Sequence, residues 1–401
     1  MDIKIYNNKM NFKLNQLIEI GKRSNNAKRN FLFISKLLGK HIEVRPDMCK
    51  AAGHLLASLK YPELRSEKII DYVKGENVDI KYELNKTVTQ ASKILVIGFA
   101  ETATGLGMAV ASKIKDCIYQ TTTREPITDV KNLLSFEEEH SHATTHKFYS
   151  LLDYDLNDFD EIILVDDEIT TGNSMLNLIT ELINICSVRK YSILSILDWR
   201  DDTFVEKYKD FATTNNVSIN VYSLLSGQIS IDNFDVYTDN SEPIEITQKT
   251  SNIIDMIDEF NKVELNTQFG KQQYLKNTGR FGVKQNHIEN IEMHAKNLAN
   301  KINDVIDSNE KILVIGHGEN IYIPSRIASY INANVMFKTT TRSPIFCDGN
   351  IIKTKYKFID RGVTYFLYNK EDIETQYDKI IFLAETPLDL KLCDNIMIFN
   401  I

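Results

Sequence analysis

One segment of 35 residues occurs twice in the chain, and no other feature restricts the fold as strongly. Residues 93–127 begin Lys-Ile-Leu-Val-Ile-Gly and end Thr-Thr-Thr-Arg-Glu-Pro-Ile; residues 311–345 begin with the same six residues and end Thr-Thr-Thr-Arg-Ser-Pro-Ile. The two superpose at a constant offset of 218 residues without a gap, and 13 of the 35 positions are identical, Glu101 and Glu319 among them. Chance similarity between two buried strands would not reproduce Thr-Thr-Thr-Arg-x-Pro-Ile at one spacing, so a supersecondary unit is duplicated. The same offset carries Asp160–Val165 onto Asp378–Leu383, apolar run on apolar run.

The repeated unit reads as α/β. Short β-branched runs at Lys93–Ile97, Glu161–Val165, Tyr191–Leu197, Lys311–Ile315 and Lys379–Leu383 have the continuous apolar character of parallel strands buried on both faces. Between them run helical patterns, the clearest from Gly172 to Ile185, with Leu176, Ile179, Leu182 and Ile183 at helical spacing. Such alternation predicts a parallel sheet whose ligands sit beyond the carboxyl ends of the strands. With 401 residues two domains are expected: 1–235, a polar linker over 236–265 containing Asn240-Ser241-Glu242-Pro243, and 266–401.

Composition narrows the partners. A net charge of −8 disfavours general attraction to nucleic acid. No segment has the length and apolarity of a membrane span, and the five cysteines are odd in number with no CxxC pair; both suggest a cytoplasmic protein with free thiols.

The copies differ where chemistry would lie. After the apolar run Ile162–Val165, copy one continues Asp166-Asp167-Glu168-Ile169-Thr170-Thr171-Gly172-Asn173-Ser174; copy two has Ala384-Glu385 and no counterpart of Thr170-Thr171-Gly172. In copy one a strand delivers two carboxylates to the sheet edge, and a turn of small hydroxyl residues opens a helix. Such a turn aims backbone N–H groups and the positive helix end at an anion. Thr170, Thr171 and Ser174 add hydroxyls, and Gly172 allows close approach of a phosphate. Asp166 and Asp167 suit a sugar diol or a magnesium ion held through water. A second loop of small residues, Ala100-Glu101-Thr102-Ala103-Thr104, follows the strand ending Ile97-Gly98 and has the same anion-nest character.

At residues 162–174 the chain resembles the type I phosphoribosyltransferases, whose 5-phosphoribosyl diphosphate (PRPP) motif is four apolar residues, two acids, two variable positions, Thr-Thr-Gly and a small hydroxyl residue. The resemblance implies a phosphoribosyltransferase-type, Rossmann-like parallel sheet, with the second copy a degenerate α/β domain. It implies that Asp166 and Asp167 contact the ribose hydroxyls, that Glu168 and Thr170–Ser174 cradle the 5-phosphate, that Ala100–Thr104 hold the diphosphate, and that Mg2+ is required. Thr170 replaces the acid to which base chemistry is assigned in some members, which is the orotate-type pattern. Arg124 is expected to contact the diphosphate as charge builds on it, or else to make a structural ion pair that Arg342 repeats in copy two. Glu139, His140 and His142 fall where the family has a mobile loop over the reacting sugar.

The acceptor side is expected from a hood over residues 29–60, with Arg29, Phe31, Lys36, Lys40 and His41 as candidates; an amphipathic helix with a solvated basic face is the competing reading. Trp199 and Arg200 end the strand that lines the base pocket in the family, where Trp199 would stack on a planar base or pack in the core. In the second domain Thr341-Arg342-Ser343-Pro344 matches the TRSP domain that follows this transferase domain in a bacterial family found with tellurium-resistance and stress gene clusters. Arg280, Thr341 and Arg342 are its candidate ligand residues, Arg280 lying in either a ligand loop or a plain turn. The expected activity is transfer of ribose 5-phosphate from Mg-PRPP to a small nitrogenous acceptor, by analogy in a homodimer. The alternative is a non-catalytic protein that binds PRPP or a nucleotide for regulation.

Overall fold

The computed structural model describes residues 2–22, 31–137, 145–230, 244–246, 252–255, 260–386, 388 and 396–401. The first half begins with β1 (Asp2–Asn7), the hairpin β2 (Ile18–Lys22) and β3 (Phe31–Ser35), and the helix α1 (Met48–Lys60). It continues through β4 (Ile94–Gly98), α2 (Ala103–Ala111), β5 (Ile118–Thr121), the hairpin β6 (Asn132–Glu137) and β7 (Thr145–Tyr149), and β8 (Glu161–Ile169). It closes with α3 (Asn173–Ile185), β9 (Lys190–Asp198), α4 (Asp202–Asn215) and β10 (Ser218–Ser230). The second half contains β11 (Asn252–Asp255), the hairpin β12 (Lys262–Thr267) and β13 (Gly270–Leu275), β14 (Val283–Lys284) and α5 (Gln285–Asn303). Then come β15 (Lys311–Gly316), α6 (Tyr322–Tyr330), β16 (Asn334–Thr339), the hairpin β17 (Lys355–Asp360) and β18 (Val363–Tyr368), α7 (Lys370–Gln376), β19 (Lys379–Ala384) and β20 (Ile396–Asn400).

The apolar runs become parallel strands because both faces of each sheet are covered. Helices cover sheet one and one face of sheet two, and the β17–β18 hairpin with Ile373 of α7 covers the other face of sheet two. Sheet one has the order β1-β10-β9-β8-β4-β5-β14, parallel from β10 to β5 with antiparallel strands at its two edges. Sheet two, β11-β20-β19-β15-β16, is parallel throughout and repeats the same central order. The duplication reaches single hydrogen bonds. Lys93 N donates to Asp160 Oδ2 at 2.8 Å, and Lys311 N donates to Asp378 Oδ2 at 2.8 Å. Thr122 Oγ1 lies 2.9 Å from His146 Nδ1 and its counterpart Thr340 Oγ1 lies 2.8 Å from His317 Nδ1, although the two histidines come from different places, β7 in copy one and the loop after β15 in copy two.

The halves are not beads on a string. Each lends the segment before its long helix to the sheet of the other. Thr121 N donates to Gly279 O at 2.9 Å and Thr339 N to Gly39 O at 2.8 Å. Val283 and Lys284 pair with the β5 edge, while Val44 pairs with Phe337 on the β16 edge. Two strand edges that would otherwise stand open are thereby covered. Residues expected to belong wholly to the second domain, 266–284, thus pack on the first: β12 and β13 enclose Ile127, Val130 and Tyr149 with Leu265, Tyr274 and Phe281. One apolar core runs through both halves, from Leu55 and Leu106 to Val314, Ile323 and Ile327. Above it a polar node forms, in which Glu292 of α5 accepts from Lys50 of α1 at 2.7 Å and from Arg326 of α6 at 2.9 Å. Among the described residues no helix is long and apolar enough to cross a membrane.

Candidate active site

Strands β8, β4 and β5 are parallel neighbours, with Gly98 in register with both Val165 and Thr121. The loops that follow them therefore emerge side by side at one sheet edge. These are residues 99–102, 122–125 and 170–172, the three segments singled out for phosphate chemistry.

The loop after β4 is held from both sides: Phe99 N donates to Val165 O at 3.1 Å and Ala100 N to Thr122 Oγ1 at 2.8 Å. Glu101 has φ +66°, a left-handed conformation that side chains adopt at a cost and that recurs at functional turns. Its carboxylate meets two cations, Arg124 Nε at 3.1 Å and Lys40 Nζ at 3.1 Å. Burial pushes the Glu101 carboxyl up, but Lys40, Arg124 and Arg342 outweigh burial and hold it below the usual carboxylate range. Lys40 also donates to Thr102 Oγ1 at 2.8 Å. Ala100, Thr102, Ala103 and Thr104 are buried, and helix α2 starts at Ala103. The loop is thus an anion-sized turn flanked by a lysine and an arginine, with a carboxylate between them.

The loop after β8 differs in one respect from the sequence reading. The strand does not stop at Val165 but runs to Ile169, because the long strand β9 pairs with it up to Asp198. Side chains alternate along a strand, so Asp166 leaves on the face of Ile162 and Leu164, and Asp167 on the face of Ile163 and Val165. The two acids diverge. Asp166 Oδ1 accepts from Asp167 N at 3.0 Å, and Glu168 lies on the Asp166 side, half-buried. Thr170, Thr171, Gly172, Asn173 and Ser174 are half-buried and lead into α3. Gly172 is the cap residue, with φ +72° and no side chain to occupy the helix amides behind it. Tyr208 Oη donates to Gly172 O at 2.7 Å, and Lys207 Nζ donates to Asn173 Oδ1 at 2.7 Å, so α4 fixes the turn from below.

The acceptor candidates separate. Phe31 and Phe33 lie on the β2–β3 hairpin, which is the form the hood segment takes in place of the competing helix. Phe33 meets Trp199 with ring centroids 5.7 Å apart, both rings joining the core on the α1–α2 face of the sheet, while Trp199 N donates to Ile169 O at 2.8 Å at the end of β8. Trp199 is buried, and its Nε1 has no hydrogen-bond partner. Arg200 is engaged by Asp198 through two bonds of 2.9 and 2.8 Å and lies over the Tyr208 ring. Lys36 pairs with Glu19 on the hairpin. Lys40 stands at the loop after β4, not at the hood. His41 is buried against Tyr368 of the second half, its protonation suppressed by burial and by Lys40 and Lys338, so it too leaves the hood set. Arg29, Glu139, His140 and His142 lie outside the described residues.

In the second half Arg280 is not on a ligand loop. It is buried, with Nη1 2.9 Å and Nη2 3.2 Å from the two oxygens of Glu385, and Nε 3.6 Å from Glu319. Glu385 occupies the position that Asp167 holds in copy one. Thr341 pairs by backbone with Phe366, and Arg342 Nη2 donates to Glu125 Oε1 at 2.6 Å and to Tyr365 Oη at 2.9 Å. Sequence reasoning missed Tyr208, whose role needs the turn and α4 to be adjacent. It missed the place of Lys40 as well, although Gly39-Lys40 and Gly279-Arg280 are a short second trace of the duplication.

A parallel sheet with a glycine-capped helix start and a left-handed turn side by side at its carboxyl edge defines a doubly wound α/β protein. The family described as phosphoribosyl transferase matches residues 17–228, more than half of the chain, and the chain belongs to that family. The TRSP domain, described as C-terminal to this transferase domain, matches residues 277–398. The chain is a phosphoribosyltransferase followed by a degenerate copy of its own α/β unit. No curated protein matches it. Among solved structures it is similar to an adenine phosphoribosyl transferase from Trypanosoma brucei, at 12% identity over 54% of this chain and 79% of that one, with a TM-score of 0.32. It is also similar to adenine phosphoribosyltransferases from Rhodothermus marinus (14%; 53% and 96%; 0.30) and Leishmania tarentolae (13%; 53% and 85%; 0.29). Likeness this distant says nothing about the acceptor.

Proposed function

We propose that the chain transfers ribose 5-phosphate from Mg-PRPP to a small nitrogenous acceptor and releases diphosphate. The observation that carries this reading is the adjacency of two different anion sites at one sheet edge. One is the hydroxyl-lined start of α3, which suits a monoester phosphate. The other is the Glu101 turn with Lys40 and Arg124, which suits a diphosphate. PRPP has those two groups at opposite ends of one ribose, and we assign its hydroxyls to the carboxylates of β8, Asp166 or Asp167.

In this reading the start of α3 anchors the 5-phosphate by helix amides and the hydroxyls of Thr170, Thr171 and Ser174. Arg124 and Lys40 turn from Glu101 to the diphosphate and stabilise the charge that grows on it as the C1–O bond breaks. The protein supplies position and fixed charge, and no covalent intermediate is needed. Thr170 cannot take a proton, so a proton on the acceptor nitrogen leaves to solvent or to the departing diphosphate as the C1–N bond forms and the C1–O bond breaks. A planar acceptor suits the Phe33–Trp199 wall, where the indole N–H offers a donor.

Magnesium fits only as part of the substrate. Asp166 and Asp167 diverge, and among the described residues no group of three His, Cys, Asp or Glu could hold a metal ion. Either acid would reach, through water, an ion carried by the diphosphate, and that ion would offset charge on the leaving group. Calorimetry tests the reading. Wild-type protein should bind PRPP with Mg2+, and the pair Asp166→Asn with Asp167→Asn should lose that binding while keeping its melting temperature. Unchanged affinity in the double variant would sink the assignment. A screen of nitrogenous bases for a mass gain of ribose phosphate would then identify the acceptor.

A further inference from the structure

We infer that Glu319, in the degenerate copy, is a positioning residue for the site in the first copy: it holds the loop of Arg124 at the angle from which the guanidinium meets the diphosphate. The inference rests on the transferase reading above. Glu319 is the counterpart of Glu101, and in that loop only this residue is common to both copies; Phe99-Ala100 has become His317-Gly318 and Thr102 has become Asn320. Its work lies across the interface. Glu319 Oε2 accepts from Thr123 Oγ1 at 2.6 Å and Oε1 accepts from Arg124 N at 2.9 Å. Its carbonyl accepts from Thr104 Oγ1 at 2.7 Å. One residue of copy two therefore binds both loops that flank the diphosphate position in copy one. Glu125, the next residue, is held from the same side by Arg342.

The carboxylate is itself braced. Arg280 stands 3.6 Å from it and is fixed by two bonds to Glu385. A buried carboxylate that accepts two hydrogen bonds beside a fixed guanidinium is stable in one orientation, and orientation is what a loop presenting an arginine requires. Arg124 Nε then stands 3.1 Å from Glu101 Oε1, in the loop after β4. Without Glu319, the Arg124 N–H and the Thr123 hydroxyl lose their acceptor in a buried place, and the loop must shift to find water.

The test compares two ligands that share one end. PRPP engages both the 5-phosphate turn and the diphosphate loop, whereas ribose 5-phosphate engages only the first. In Glu319→Ala we expect the Kd for Mg-PRPP to rise tenfold or more and that for ribose 5-phosphate to stay within twofold. Glu319→Gln keeps one oxygen for the Arg124 N–H and an amide for Thr123, so it should recover most of the affinity. In an Arg124→Ala background, Glu319→Ala should add no further loss. Equal weakening of both ligands, or no weakening of PRPP, overturns the inference, and Glu319→Asp, too short to reach Thr123 Oγ1 and Arg124 N together, decides if the alanine variant does not fold. If wild-type protein binds no PRPP the transferase reading falls instead. Inorganic diphosphate with wild type and Glu319→Ala, or Glu319→Asp where the alanine variant does not fold, then judges the clamp alone, and equal affinities count against it.

Discussion

Replacing Gly172 by alanine tests the phosphate turn at its least tolerant point. The residue has φ +72° and ψ 10°, and an alanine there costs roughly 1–2 kcal/mol in backbone strain. A Cβ would also lie 2.2 Å from Tyr208 Oη and 2.8 Å from two of its ring carbons. Tyr208 is buried and must move, which breaks its 2.7 Å bond to Gly172 O and leaves a hydroxyl without a partner, at about 1–3 kcal/mol. The two effects together predict a loss of about 2–5 kcal/mol in urea unfolding. The turn presents amides at fixed positions, so the affinity for ribose 5-phosphate should fall at least tenfold, about 1.4 kcal/mol. A companion variant separates the causes. In a Tyr208→Ala background the ring is gone and only the strain remains, so Gly172→Ala should cost about 1–2 kcal/mol there. Equal losses in both backgrounds would show that Tyr208 does not shape the turn. A Gly172→Ala protein with wild-type stability and affinity would refute the whole account of this loop.

The node between the halves and one buried histidine give two further expectations. Glu292→Ala leaves Lys50 and Arg326, whose side chains are each 5% exposed, as buried cations with a main partner removed; the cost should be about 3–5 kcal/mol in urea, with Glu292→Gln losing less, and a loss under 1 kcal/mol would count against the node. His54, wholly buried on α1 with Nε2 2.7 Å from Leu64 O, has its pKa lowered to about 4 by burial, with Lys113 adding to the effect. The folded form therefore resists protonation while the unfolded chain takes a proton near pH 6.5. The histidine contributes nothing above pH 7, and stability is lost as pH falls from about 6.5 towards 4, about 2 kcal/mol of it by pH 5. Denaturant melts at pH 7 and pH 5 on wild type and His54→Phe check this; an equal pH slope in both would exclude His54 as the cause.

The strands and the phosphate turn could be read from residues because each depends on local pattern. Runs such as Ile-Leu-Val-Ile have no stable place except between two layers of helices, and a turn of Thr-Thr-Gly before an amphipathic run has few conformations open to it. The helix expected from Gly172 starts one residue later, at Asn173. The strand expected to end at Val165 runs four residues further, because pairing with β9 overrides the polar character of Asp166-Asp167-Glu168. What was illegible depends on contacts between distant segments. Lys40 reads as one cation in a basic stretch; only the bond from Thr339 N to Gly39 O carries it to the Glu101 turn. Arg280 reads as a glycine-flanked cation on a loop, a fair description of a ligand residue, until Glu385 is found in contact with it.

That last contact explains why a copy without its phosphate turn remains folded against the first. At the position of Asp167, the second copy has Glu385, 6% exposed at the end of a buried strand. A carboxylate there needs a cation, since burial without one costs several kcal/mol. In copy one Asp167 is half-buried and keeps solvent in reach. In copy two Arg280 serves permanently, and its planar guanidinium meets both oxygens of Glu385 while its Nε side faces Glu319. Filling the vacated site and bracing the clamp are thus one act of one side chain. The segment that carries Arg280 is also the arm that covers the β5 edge, so removing it would strip the first sheet of an edge strand at Val283. The second copy has a buried Glu385–Arg280 pair where the first has the half-buried Asp167, and through Glu319 that pair ties its own core to the loop at Thr123 and Arg124.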